Sequence, residues 1–320
     1  MTAYTAQKQD ANLTAPHVLL NDKRPYKKHL RIRGEASGGC DRPCCVRKNA
    51  RSLGYYYRKS DKRNIKRYRC KTCGRSFSSA TNHPCKYQKK RHLNELIMAL
   101  LASNMSIRRI ALLLDVSTKT VMQKLIFMAG QCEQRMHQFL PRNIQDVQID
   151  ELHTFEHTKA KPLSIIVAIC KKTRRILGFK VSTMPASGRL AKISTDKYGP
   201  RKDNRQQGLK SLLQNIKTML HTPVRVQTDQ CPYYPKPIRV FLDDALHQTF
   251  KGRKSRNYGQ GELKEGGYDP LFSINHTFAM KRANINRLIR KTWCTTKKTG
   301  NLQHHLMIYA FFHNSMLTSA

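Results

Sequence analysis

The chain has 320 residues and sets 60 lysines and arginines against 20 aspartates and glutamates, a formal net charge of +40. Self-repulsion on that scale opposes compaction unless a polyanion neutralises it, so nucleic acid is the expected partner, bound with counterion release from its phosphates. An anionic membrane surface is disfavoured because the basic residues run along the whole chain with no amphipathic basic block. The wholly apolar runs, Ile165–Cys170 among them, are also far short of the ~20 residues that a membrane span needs.

The first residues, "MTAYTAQKQDANLTAPHVLL", lack the charged-then-apolar pattern of a signal peptide. A cytosolic, reducing compartment is expected. The ten cysteines are then metal ligands and buried thiols, not a disulfide framework. Residues 1–35 read as a flexible basic arm suited to phosphate contact.

Residues 36–82 read as a zinc ribbon. "RYRCKTCGRSFS" holds Cys70 and Cys73 as C-x-x-C, and Gly74 after it permits the positive φ that a metal knuckle often needs. Upstream, "GGCDRPCC" offers Cys40 with either Cys44 or Cys45 as the second pair, Cys45 being favoured, while His83 or Cys85 could substitute. So small a module lacks its own core, and bound Zn²⁺ would supply its folding energy.

Residues 90–130 read as a three-helix, helix-turn-helix unit. The first helix covers about 93–102. Ser106 caps the second, with Ile107, Ile110, Ala111 and Leu113 or Leu114 turned inward, and Ser117 caps the third, with Val121 and Leu125 inward. Ser117, Thr118, Lys119 and Gln123 then point outward, where a recognition helix meets the major groove. Asp115 occupies the turn where such units often carry Gly.

Residues 145–320 read as a mixed sheet flanked by helices. "DVQIDELHTF" is a strand with Asp150 in its middle, and "LSIIVAICKKTRRILGFKVSTM" is a hairpin turning at "KKTR". "GLKSLLQNIKTML" is an amphipathic helix with Leu209, Leu212, Leu213, Ile216 and Leu220 on one face, and "VRVQTDQ" is a strand ending in Asp229. Later helices are expected at about 274–290 and 302–317. Strand, strand, strand, helix, strand, helices is the order of a ribonuclease-H-like domain, in which the first and fourth strands are neighbours. Asp150 and Asp229 would then face each other across the sheet. Paired Mg²⁺ (or Mn²⁺) ions that cleave phosphodiesters need hard oxygen ligands, one of them bridging. Asp150 is the bridging candidate and Asp229 a ligand to one ion. Such sites usually carry a third acid, yet no Asp or Glu occurs from Pro270 to the end of the chain. "GQGELKEGGYDP" offers Glu262 and Glu265. Glu151 and Glu156 are weaker candidates, Glu151 because it points away from Asp150 by strand alternation. Lys281, Arg282, Arg287, Arg290 and Lys291 are expected on one helix as a basic face for the DNA backbone. His276 and the lone Trp293 read as structural.

The cysteine pairs, the helical unit at 106–125, "QIDELHTF", "VQTDQCPYYP", "RLIRKTWCTTK" and the late "YAFFHNS" together resemble the transposases of the bacterial insertion-sequence-one family, over about 39–316. The resemblance implies an α/β multidomain protein whose zinc ribbon and helix-turn-helix hold the ends of a mobile element. It also implies an Asp-Asp-Glu core that cuts and rejoins double-stranded DNA with Mg²⁺, working as a homo-oligomer that pairs two DNA ends on the bacterial nucleoid. It carries the first two acids onto Asp150 and Asp229, and the third onto Asn275. An amide oxygen there could still bind the ion, without charge. Alternatively Glu262 supplies the third oxygen, or catalysis is lost and a DNA-binding protein remains.

Overall fold

The computed structural model describes residues 49–59, 63–81, 83–86, 88–251, 268–289 and 295–318. The arm at 1–35, Cys40, Cys44, Cys45, Glu262, Glu265, Arg290, Lys291 and Trp293 lie outside them.

Strands β1 (Ala50–Arg58), β2 (Arg63–Cys70) and β3 (Ser76–Ser78) form an antiparallel sheet in that order. Its buried cluster is only Tyr68, Cys70 and Phe77, with the two rings stacked at 5.5 Å, too little apolar surface to hold the sheet by burial alone. The turn after β2 has the expected knuckle form. Gly74 has φ +69°, its N–H donates to Cys70 O at 3.1 Å, and Cys70 N–H donates to Arg75 O at 2.9 Å.

Helices α1 (Asn94–Leu101), α2 (Ile107–Leu113) and α3 (Thr118–Arg135) follow. Ser106 Oγ accepts from Arg109 N–H at 3.2 Å and Ser117 Oγ from Thr120 N–H at 3.1 Å, as the sequence pattern expects of two N-caps. Asp115 makes the turn at φ +46°, a left-handed conformation that Asp tolerates better than most residues. Ile110, Ala111, Val121 and Leu125 are buried. Of the two alternatives, Leu114 turns inward, while Leu113 is 59% exposed.

Next come β4 (Ile144–Phe155), β5 (Pro162–Cys170), β6 (Ile176–Thr183), α4 (Leu190–Tyr198), α5 (Arg205–Lys217), β7 (Leu220–Asp229), α6 (Pro235–Phe241), β8 (Leu246–Phe250), α7 (Phe272–Asn284) and α8 (Thr299–Thr318). The five strands lie in the order β6-β5-β4-β7-β8. β4 pairs antiparallel with β5 and parallel with β7, which pairs parallel with β8. This is an α/β protein with a mixed five-stranded sheet between helices, an arrangement compatible with a ribonuclease-H-like core. α5 and α6 cover one face, where Val147, Ile149 and Val226 meet Leu209, Leu213 and Ile216. α7 and α8 cover the other, where Leu152 and Val167 meet Ile274, Phe278, Leu306 and Tyr309. β5 is buried on both faces, which is why its sequence is a continuous apolar run. Leu220, expected on the helix before β7, instead opens that strand, because α5 ends at Lys217.

Two corrections concern the end of the chain. The helix expected to reach 290 stops at Asn284, whose backbone C=O accepts from Asn104 N–H at 2.8 Å, and Ile285 goes on in an extended conformation. Lys281, expected on a basic outer face, is instead wholly buried, its Nζ 5.9 Å from the ring centroids of Phe179 and Phe278. It lies one helical turn from Phe278, so it points to the sheet with the apolar residues.

α8 has apolar residues on all sides because it serves two cores. Leu302, Leu306 and Tyr309 pack on the sheet, whereas Ile308 and Phe311 pack into the cluster of α1, α2 and α3. Phe311 meets Phe139 edge-to-face at 5.0 Å, and His305 Nε2 lies 2.7 Å from Leu101 O. No helix among the described residues is long and apolar enough to cross a membrane.

Two stability outcomes follow from this packing. Phe311→Ala should cost about 3–5 kcal/mol. Calorimetry should then show helices and sheet unfolding together at a lower temperature, and two independent transitions would contradict the shared core. Burial lowers the Lys281 pKa to about 7 from an ordinary 10.5. The unfolded chain therefore binds the extra proton between those values, and the penalty for the buried lysine is fullest below pH 7 and fades toward pH 10.5. Lys281→Met should raise the melting temperature most at pH 6 and much less at pH 10, and a gain independent of pH would refute the buried charge.

Candidate active site

The two acids are positioned by strand pairing. β4 and β7 are in parallel register with Val147 opposite Val226 and Gln148 opposite Gln227. Continuing that register by two residues sets Asp150 beside Asp229, on the same face as the two glutamines. Both aspartates are half-buried. Burial is the main cause that lifts the Asp150 pKa to about 7, and the negative charges of Asp229 and Glu151 push it the same way. The Glu151 N–H, which donates to Asp150 Oδ1 at 2.7 Å, opposes the shift. Asp229 Oδ1 accepts from Cys231 N–H at 3.1 Å, which fixes the chain as it leaves β7.

Beneath the acids lies a buried amide ladder. Gln148 is fully buried and donates through Nε2 to Gln227 Oε1 at 3.0 Å and to Pro270 O at 2.7 Å. Its Oε1 accepts from Ile274 N–H at 3.0 Å. Gln227 in turn donates to Gln248 Oε1 on β8 at 3.2 Å. One side chain thus ties both acid-bearing strands to the start of α7. The signal was present in the sequence. "QID" and "QTD" each place a glutamine two residues before an acid, on the same side of the strand.

Asn275 does not turn toward the sheet. It is exposed, and its Nδ2 donates to Asp269 Oδ2 at 3.0 Å, while Asp269 Oδ1 accepts from Leu271 N–H at 3.0 Å. Asp269 is the acid that sequence reasoning passed over. It precedes Pro270, whose carbonyl is held by Gln148. Glu262 lies outside the described residues. Glu151 takes the other face, as alternation requires, with Oε2 3.0 Å from His153 Nε2 and 3.9 Å from Arg205 Nη1 on α5. Its Oε1 is buried with no hydrogen-bond partner. Glu156 pairs with Arg201 at 3.1 Å. His276 Nδ1 lies 3.3 Å from Arg174 Nη1, consistent with a structural place.

The structure brings Asp150 and Asp229 together, and Cys70 with Cys73 at the knuckle. Cys85, the alternative zinc ligand, lies at α1, with its Sγ 3.5 Å from Asn94 Nδ2, and burial raises its pKa. Ser117, Thr118, Lys119 and Gln123 are all exposed along the start of α3. Arg282 is exposed, whereas Arg287 turns inward to Thr296 Oγ1 at 3.2 Å, in the segment beyond α7. Among the described residues no three His, Cys, Asp or Glu side chains cluster closely enough to hold a metal ion. Two carboxylates on adjacent strands nevertheless form a hard-oxygen pair whose mutual repulsion a divalent cation would relieve. Comparison with protein-family models and with curated proteins finds no match.

The raised Asp150 pKa has a definite sign in stability. Between its ordinary 3.8 and about 7 the folded chain binds the extra proton, so stability falls as pH rises through that window. Asp150→Asn should be near neutral at pH 4 and stabilising at pH 8, by at most about 4 kcal/mol. Thermal melts at both pH values check this, and a pH-independent difference would mean that the carboxylate is not under strain.

Proposed function

We propose that the protein is a DNA transposase whose catalytic centre is built on Asp150 and Asp229. The observation that carries the reading is the placement of these two carboxylates, side by side on parallel strands of a mixed sheet in a chain of net charge +40. Asp150 and Asp229 would hold the divalent ions. The third oxygen would come from the Asp269–Asn275 pair at the start of α7, or from Glu262. Bound Mg²⁺ or Mn²⁺ would supply Lewis-acid activation of a water or 3′-hydroxyl and stabilise the leaving oxygen of a phosphodiester. Gln148 positions both strands and α7 without touching DNA. In this reading hydrolysis at one phosphodiester frees a 3′-hydroxyl, which then attacks target DNA.

The modules ahead of the sheet fit the same reading. Helices α2 and α3 form a helix-turn-helix that presents Ser117, Thr118, Lys119 and Gln123 to the major groove. The three-stranded sheet would serve as a zinc ribbon, with Cys70 and Cys73 as two of the ligands to a structural Zn²⁺ and Cys40 and Cys45 as the candidates for the other two. Two copies acting on paired element ends complete the assembly. A second reading, a DNA-binding protein without catalysis, is favoured by one observation: Asn275 is exposed and turned onto Asp269.

The two readings separate in one assay. Wild type and Asp150→Ala are incubated with Mg²⁺ or Mn²⁺ and DNA carrying the sequences that flank the gene. The transposase reading expects nicked and strand-transfer products from wild type. It also expects loss of at least about a hundredfold in the variant with DNA binding retained. No product from either protein, with binding intact, would leave the DNA-binding reading.

A further inference from the structure

β1 carries three consecutive tyrosines that the proposed duplex contacts do not use. Tyr55 is 61% exposed and Tyr57 is 57% exposed, too open for either ring to serve a core. Strand alternation alone would not make them a pair with the rest of the ribbon's aromatic face. A bulge does so. Ser52 is opposite Tyr68 and Tyr55 is opposite Lys66, so β1 spends one residue more than β2 over that interval. Gly54 takes the extra step at φ +79°, which a side chain would resist. Beyond the bulge, Tyr55 and Tyr57 fall on the side of Lys66 and Tyr68. In unbroken register Gly54 would stand opposite Lys66, and Tyr56 alone of the three would share that side.

The result is a row on one face of a two-stranded ribbon. Phe77 and Tyr68 are stacked and buried at the knuckle end, and Tyr55 and Tyr57 are open toward the hairpin end. Lys66 Nζ stands 5.8 Å from the ring centroids of both Tyr55 and Tyr68. The two open rings are about 6.6 Å apart along the strand, within reach of successive nucleotides of an extended chain. Lys66 is thus the cation on the tyrosine face; by the same register Arg51, Arg58, Arg63, Arg67 and Arg69 lie on the opposite face of the two strands, and no Asp or Glu occurs among the described residues from 49 to 94.

We propose that the Tyr55–Tyr57 face of the ribbon binds unpaired nucleic acid, its rings stacking on two successive bases while Lys66, on the same face, meets the phosphates. Open ring faces and a cation on one surface are the two components of a single-strand platform. A duplex presents base edges in its grooves, its base faces being already stacked, so it would leave most of this ring surface unused. The inference does not depend on the catalytic reading, because it involves neither Asp150 nor a divalent ion.

The test uses the full chain, without divalent cations, titrated into fluorescein-labelled oligo-dT, oligo-U and a mixed-sequence duplex at fixed salt, with fluorescence anisotropy as readout. Tyr55→Ala/Tyr57→Ala should weaken oligonucleotide binding at least about tenfold and change duplex binding less than about twofold. Tyr55→Phe/Tyr57→Phe should bind like wild type, since stacking needs the ring and not the hydroxyl. Both positions are exposed, so an unchanged melting temperature will establish that the variants fold. Loss on oligo-dT alone identifies DNA as the ligand, loss on oligo-U alone identifies RNA, and loss on both assigns recognition to the bases whatever the sugar. Wild-type affinity in the double alanine variant, an equal loss on the duplex, or failure of the phenylalanine variant would each overturn the proposal.

Discussion

The arrangement of the molecule depends on one helix that has no solvent face to spare. α8 contributes Leu302, Leu306 and Tyr309 to the sheet and Ile308 and Phe311 to the three-helix cluster. An amphipathic helix would satisfy only one of these partners; this one is apolar on all sides and so joins them. His305 to Leu101 and Asn104 to Asn284 add backbone contacts between the same two units. The exposed start of α3 and the two strand aspartates are therefore held in a fixed relation, with a close-packed interior in place of a linker between them. In the proposed reading, a protein that reads a DNA end and acts on it at a set distance needs that relation.

How much of this was legible depends on whether a signal was local. The caps at Ser106 and Ser117, the turn at 171–175 and the knuckle at Cys70 are short-range chemistry, and each stands where the pattern put it. The neighbouring strands of Asp150 and Asp229 followed from element order. β8 was not legible, because Leu246–Phe250 is a short edge strand with half-exposed and exposed residues and no clean alternation. The end of α7 was missed for a different reason. Nothing local stops a helix at Asn284; its carbonyl is taken by Asn104, 180 residues earlier in sequence. The same blindness put Lys281 and Arg287 on a solvated face, since sequence reading assigns a charge to water unless something says otherwise. Lys281 follows Phe278 on the apolar side, and the helical period, read strictly, pointed inward.

The charge distribution makes the acid pair more than a local detail. With 20 acids against 60 basic residues, most carboxylates can be expected beside a cation. Glu156 has Arg201, Asp203 has Arg205 and Asp146 has Arg225. Asp150 has instead another carboxylate beside it and burial around it, and its pKa rises as a result. A chain so rich in cations that leaves two acids facing each other holds a concentration of negative potential, where a divalent ion gains most.

Asn275 also has a local physical account. Its amide donates to Asp269 at 3.0 Å, so a carboxylate at 275 would meet a carboxylate at 269. The two positions are in hydrogen-bond contact, and two carboxylates there would repel unless one were protonated or a cation lay between them. Asp269 sits at the N-terminal approach to α7, where the helix dipole favours negative charge, and next to the carbonyl that Gln148 grips. Asparagine at 275 is then the partner of an acid placed six residues earlier. On the transposase reading, what is lost at 275 is a charge, while the oxygen-bearing pair at the head of α7 remains tied, through Gln148, to the two strands that carry Asp150 and Asp229.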